Sequence, residues 1–565
     1  MPNPEPRSRI YEIANDYVEQ VAEQNPLAAT SMGVPGHDHE MTDFSPDGVD
    51  RRAALDSRAL ADLRAATVVD EQDRIARDVM LERLELSAEL HDAGESLRDL
   101  NILHSPMQAI RSSFDLMPRA DRDDWRNIAQ RLRRVPDGLH GVRETLDSGL
   151  ARGLASAQRQ TRGCVQQAEV WSGQQEGQPP FFDSLLQAYE AASVDDATLS
   201  SDLRDAVTTA SQAYADHARY LAEQYLPRAE PRDPVGRERY QLRSRAFNGI
   251  DLDLEETYAW GWEELWRIQA EMEATADRIQ PGASVAEAID VLNTDPERAI
   301  EGEDAFRQWM QDLQDSTIAS FDGVHFDIPE PVKTIEAMIA PPGGALAMYY
   351  TGPSEDFSRP GRTWYPTGGK TRFPLWSEVS VAYHEGVPGH HLQIAQVRYL
   401  GDSLSRYQRL LAGTSGYVEG WALYAERLMG ELGYLENPDF YMGLLSSQAL
   451  RAVRVVIDIG MHLEFSIPEN EPYHPGETWT PELALPFLIE RSFFPETMLS
   501  SEVDRYLGFP GQAISYKVGE RVWLAARADA RQRAGDDFDL KAWHTRALNL
   551  GPMGLAQMER EMAAL

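Results

Sequence analysis

Residues 377–393 place three histidines and a carboxylate, His384, Glu385, His390 and His391, within eight positions, after a run whose apolar residues have helical spacing. This run constrains the fold because no regular helix can carry it. In an α-helix, residues four apart are turned by about 400°, nearly one full turn, so an H-E-x-x-H helix presents both imidazoles to one ion. Four residues beyond His384 stands Pro388. On an undistorted helix His390 would lie about 240° around from His384 and roughly 9 Å along, and His391 would face correctly but roughly 10.5 Å away. Pro388 removes a backbone donor and disfavours α geometry at Val387, while Gly389 tolerates unusual dihedrals. The expectation is a bulge that absorbs two residues and brings His390 to the second-histidine position. His390 is the first choice as a ligand. His391 is the alternative, and whichever is not a ligand becomes a supporting or substrate-facing group.

A second polar cluster follows in residues 416–426, GYVEGWALYAE. Cys164 is the only cysteine, so no thiolate cluster can form within the chain and a metal must take His and carboxylate ligands. Catalytic zinc commonly has three protein ligands and one open position. Glu419, 29 residues after His390, is the natural third ligand, and its setting among Tyr417, Val418, Trp421 and Leu423 argues against a merely solvated helix face. Glu419, Leu423 and Glu426 fall on one face, so Glu426 suits a role in orienting a histidine. Glu385, next to a ligand but turned away from the ion, is placed to take a proton from water. One zinc ion is expected.

The rest of the chain reads as scaffold. Helical spacing of apolar residues recurs from the first 24 residues onward, with runs rich in Ala, Leu, Arg and Glu at 49–67, 71–92, 121–148, 195–223 and 254–279. Pro136 predicts a break or kink. Residues 227–234 are rich in Pro and charge, which suggests two lobes, a helical one over 1–230 and one over 231–565 that carries the metal motif. Between 326 and 371 Pro, Gly and aromatics cluster, and 345–351 and 361–366 look like a hairpin or small sheet whose edge could accept an extended peptide. Pro374, Pro438 and Pro481 each suit the first turn of a helix. The fold class is mainly α, with a small β element near the candidate site.

Two motifs, H-E-x-x-P-G-H-H at 384–391 and E-G-W-x-x-Y-x-E at 419–426, resemble the bacterial family catalogued as domain of unknown function 885. The resemblance extends through 454–462 and 510–519. It implies a likeness to thermolysin-like zinc metallopeptidases with a downstream Glu ligand, and hence a multi-helix metallopeptidase-like architecture. Dipeptidyl peptidase III is a precedent for the spacing, with one inserted residue where this motif has two. Arg454, Asp458 and His462, spaced by four on an otherwise apolar helix, form a polar stripe. It reads either as an ion pair with a satisfied core histidine or as a site where His462 donates to an oxyanion. Tyr516, after a Pro-Gly turn, is a second oxyanion candidate. Arg505 and Lys517 are candidates for a substrate carboxylate, with surface roles as the alternative.

The expected function is a zinc-dependent hydrolase that cleaves short peptides through a metal-activated water, with Glu385 as general base. A zinc-dependent esterase or amidase and a non-catalytic metal-stabilised protein are the alternatives. The formal net charge of −37 and the lack of a basic run argue against nucleic acid as a partner. No run of 18 apolar residues suggests a membrane span, and the first seven residues lack the pattern of a secretory signal, so the cytoplasm is the expected compartment. The sequence leaves the oligomeric state open.

Overall fold

Good helix formers become helices here wherever a capping side chain or a first-turn proline precedes them. In the computed structural model, which describes residues 7–565 apart from 176, 178, 193, 195, 341–347, 355 and 402, the chain is mainly α-helical. Ser8, Ser45 and Asp70 cap the first long helices with side-chain oxygens, and Pro438 and Pro481 open theirs at the first turn. The chain divides into two compact units, one of residues 1–233 with 507–509, the other of 234–506 with 510–565.

Among the described residues, the regular elements of the first unit are helices, packed around α1 (Ala197–Tyr220). Ala206, Ala210, Ala213 and Ala218 on α1 let neighbouring helices approach closely, and Trp125, Phe114, Phe182 and Tyr214 fill the core beside them. The break expected at Pro136 is a junction between two helices, Arg122–Arg133 and Val135–Ala151, with the proline in the first turn of the second.

The second unit holds every candidate site residue. The helices that build the site and its support are α2 (Leu254–Ile279), α3 (Glu303–Phe321), α4 (Glu378–Glu385), α5 (His390–Tyr399), α6 (Ser415–Glu431), α7 (Pro438–Leu463) and α8 (Ser515–Ala534). Among the described residues, five short strands form two sheets. β1 (Ala299–Glu301) pairs antiparallel with β5 (Arg372–Pro374). β2 (Ile335–Ile339) pairs parallel with β4 (Gly361–Tyr365), which pairs antiparallel with β3 (Tyr349–Thr351) on the edge. The expected 345–351 strand is thus Tyr349–Thr351 in the described part; 345–347 lie outside the described residues. Pro374 ends β5 rather than opening a helix, because its segment is paired with β1; the helix begins at Glu378. Phe306 and Met310 of α3, Ala337 of β2, Tyr365 of β4 and Ala382 of α4 share one apolar core, which fixes the motif helix to the sheet.

Two helix contacts set the site. α6 and α8 cross where Gly420 meets Gly519, so closely that a Cβ on either would overlap backbone of the other. Tyr516 stands one turn before Gly519 and is carried against α4. α7 packs beside α4 as well.

Candidate metal centre

The 384–391 run is two helices. α4 ends at Glu385, residues 386–389 form a turn, and α5 starts at His390, so a clean helix break replaces the expected bulge. The turn is held by the Gly389 amide donating to the Tyr383 carbonyl at 3.0 Å and by the Trp421 indole donating to the carbonyls of Pro388 (2.8 Å) and Gly389 (3.1 Å). A side chain at position 389 would overlap the carbonyl oxygens of Tyr383 and His384, so only glycine lets the chain fold back this tightly.

This reversal brings His390 beside His384. Their rings meet edge to face with centroids 4.7 Å apart, and Glu419 from α6 closes the group. One ligand atom each from His384, His390 and Glu419 lies within 4.8 Å of the others. Glu419 Oε2 is 3.3 Å from His384 Nε2 and 3.5 Å from His390 Nε2. For metal bonds of 2.0–2.2 Å, the edge of a tetrahedron of donors is about 3.4 Å. The separations fit.

His384 supplies a second test. Its Nδ1 is 2.7 Å from Glu426 Oε1, while its Nε2 faces Glu419. Glu419 and Glu426 are seven residues apart on α6, two turns along one face, so the imidazole spans them. A neutral imidazole has only one N–H to donate. Two carboxylates on opposite nitrogens therefore require either an imidazolium or a cation in place of one proton. Burial disfavours the imidazolium, but the bonds to Glu419 and Glu426 outweigh it and hold the ring up at about 10 in the absence of an ion. Burial raises the Glu419 carboxyl, and the two histidines overcome it and hold it well below the usual range. A His-Glu pair behind a ligand nitrogen is the arrangement that fixes ring orientation in histidine metal sites. The other oxygen of Glu426 accepts from Ser380, one turn before His384 on α4.

Glu385 borders the group. Burial raises its carboxyl, the charges of His390 and His384 oppose this, and Oε2 is buried without a hydrogen-bond partner. The Tyr516 ring stacks on His384 with centroids 6.2 Å apart, and its hydroxyl makes no hydrogen bond among the described residues.

A family described as "Bacterial protein of unknown function (DUF885)" matches residues 26–562. The chain belongs to this family. Among solved structures, one described as a "putative lipoprotein" from Colwellia psychrerythraea is similar at 22% identity with a TM-score of 0.85, covering 98% of each chain. A second, a "putative lipoprotein of unknown function" from Shewanella oneidensis, is similar at 18% identity with a TM-score of 0.74, covering 98% of this chain and 99% of that one. At these identities the likeness is one of fold. No curated protein matches the chain.

In this DUF885 chain several candidate residues have other partners. His391 is turned away from the group: its Nε2 donates to the Val332 carbonyl at 2.7 Å and its Nδ1 accepts from the Tyr350 hydroxyl at 2.9 Å, which ties α5 to β3. Burial holds its ring down at about 4, so it is neutral at pH 7. His462 is fully enclosed, its Nε2 donates to the Tyr506 carbonyl at 3.1 Å, and burial lowers its ring to about 4. That N–H is already committed, so His462 has none to offer an oxyanion through this nitrogen. Asp458 accepts from Tyr240 (2.7 Å) and the Gly511 amide (3.0 Å), and burial pushes its carboxyl up to about 7. Arg454 pairs with Glu502 at 2.7 Å instead of Asp458, and Arg505 shares that glutamate at 3.1 Å. Lys517 cannot reach a substrate carboxylate as expected: it is 0% exposed, and Glu264, Gln448 and Glu520 take its three donors at 2.6–2.7 Å.

The sequence reading missed the roles of Ser380, Trp421 and Arg451. Ser380 precedes His384 by four residues, a spacing that signals a shared face. Trp421 and Arg451 carry no such local mark, since the turn that Trp421 holds and the Tyr516 ring beside Arg451 belong to segments distant in sequence.

Among the described residues no helix is long and apolar enough to cross a membrane.

Proposed function

We propose that this chain is a zinc-dependent hydrolase, a metallopeptidase acting on short peptides, with His384, His390 and Glu419 holding one ion. The observation that carries the reading is the convergence of His384 Nε2 and His390 Nε2 on one oxygen of Glu419, with Glu426 behind His384. The thermolysin-like grouping that the family resemblance of both motifs implies supports the reaction class. When bound, the ion supplies Lewis acidity toward a carbonyl oxygen and lowers the pKa of water.

The protein's own groups do the rest. Glu385 takes a proton from the attacking water at Oε2, the oxygen with no partner, and returns it to the nitrogen of the leaving amine as the C–N bond breaks. Burial raises its basicity for that task, against the charges of His390 and His384. Tyr516, stacked on His384 with an unengaged hydroxyl, donates to the developing oxyanion. Glu426 holds His384 in the tautomer whose Nε2 lone pair points to the ion.

A panel of short peptides and simple esters tests the reading with zinc-loaded protein. Glu385→Gln is expected to lose turnover by about 10²- to 10⁴-fold while keeping the same zinc content. Full activity in that variant with zinc bound contradicts the mechanism. Cleavage of esters alone would move the substrate class from peptides to esters. For compartment, we propose the cytoplasm; the two structural relatives are called lipoproteins, and cell fractionation tests the proposal.

A further inference from the structure

α7 carries Arg451 and Arg454 three residues apart, on one face, beside α4. The Arg454 guanidinium lies 4.8 Å from the centre of the Tyr516 ring and that of Arg451 lies 5.6 Å from it. The same ring stacks on His384, so both cations stand one aromatic ring away from the candidate metal centre.

Neither cation is fully used. Arg454 donates from Nε to Tyr506 and from Nη2 to Glu502, but its Nη1 is buried without a partner. Arg451 donates from Nη1 to the Ser447 carbonyl at 3.2 Å, makes no ion pair among the described residues, and buries its Nε without a partner. In a chain with 91 acidic residues, an arginine with no carboxylate partner is a place where an incoming one is accommodated. Guanidinium groups match carboxylates by charge and by planar geometry, and Glu502 already shows a carboxylate seated on Arg454.

We propose that Arg451 and Arg454 form a subsite for the free C-terminal carboxylate of a peptide, so that the protein is an exopeptidase trimming C-terminal ends. This rests on the hydrolase reading above and names its substrate class. The two arginines bind and orient; Glu385 and Tyr516 act on the bond.

Calorimetry on zinc-reconstituted Glu385→Gln protein tests it, with acetyl-Ala-Ala-Phe and the C-terminal amide of that peptide as probes. The free acid is expected to bind about tenfold tighter than the amide, as a charge-assisted pair allows. Adding Arg451→Gln is expected to abolish that preference, and Arg451→Lys to restore part of it. Equal binding of acid and amide overturns the proposal. So does a preference that Arg451→Gln leaves unchanged, since the ion alone would then be the carboxylate's partner. Turnover by the unaltered protein separates the two claims. An Arg451-dependent preference without cleavage supports the subsite and removes the hydrolase reading; equal cleavage of acid and amide supports the hydrolase and removes the subsite.

Discussion

Replacing Glu426 tests whether the carboxylate behind His384 tunes an ion or merely fills the core. It is 0% exposed, accepts from His384 Nδ1 at 2.7 Å through Oε1 and from Ser380 through Oε2. Glu426→Gln keeps the shape and an accepting oxygen for His384, turns its amide toward Ser380, and removes the charge. Charge-assisted bonds are about twice as strong as neutral ones, so roughly 1–1.5 kcal/mol of support for the ligand nitrogen is lost, about tenfold in zinc affinity. Glu426→Ala strands the His384 N–H and the Ser380 hydroxyl in the interior. The expected costs are about 1–3 kcal/mol of stability and a loss of zinc affinity nearer 100-fold. Competition against a chromophoric chelator at neutral pH gives the affinities, and denaturant unfolding of the zinc-free proteins gives the stabilities. Equal zinc affinity in all three proteins would refute the reasoning, because the His384 tautomer would then not depend on Glu426.

Gly389→Ala is expected to weaken zinc binding more than tenfold although no ligand changes, since the Cβ collides with the backbone that sets the His384–His390 spacing; overpacking of this kind costs about 1–3 kcal/mol, and chelator competition measures the outcome. Lys517→Met leaves Glu264 and Glu520 short of a buried partner and is expected to cost about 3–5 kcal/mol in denaturant unfolding, without a change in KM for any substrate found. His217 in the first unit is enclosed with neither ring nitrogen bonded, and burial lowers its pKa to about 3 from an unfolded value of about 6.5. The unfolded chain therefore binds the extra proton, so stability is full above pH 6.5 and falls on acidification toward pH 3, by roughly 2.7 kcal/mol at about pH 4.5. His217→Phe is expected to flatten that acid limb; an unchanged pH dependence contradicts the burial argument.

Local spacing carries some of this structure and long-range packing carries the rest. Glu419 and Glu426 are two turns apart, so the sequence alone puts them on one face, and they do sit on opposite nitrogens of one imidazole. Pro388 and Gly389 mark where a regular helix must fail, but whether the chain bulges or breaks depends on Trp421, whose indole pins the turn from another helix. The stripe of Arg454, Asp458 and His462 shows its own limit. Their helix was legible, yet Glu502, Tyr240 and the Tyr506 carbonyl, which determine what each does, arrive from segments 44 to 218 residues away. Lys517 read as a carboxylate ligand or a surface residue, and only its partners Glu264 and Gln448, from distant segments, show that it is enclosed. The parallel pairing of β2 with β4 likewise has no local signature, whereas the mainly helical class is written in the recurrent apolar spacing.

The most direct test of the central claim is the zinc content of the purified protein after dialysis, measured by elemental analysis beside His390→Ala and His391→Ala. About one equivalent of zinc is expected for the unaltered chain and for His391→Ala, whose ring is engaged by Tyr350 and Val332, with a large loss in His390→Ala. Absence of zinc from the unaltered chain even after reconstitution, or full zinc retention by His390→Ala, would contradict the account.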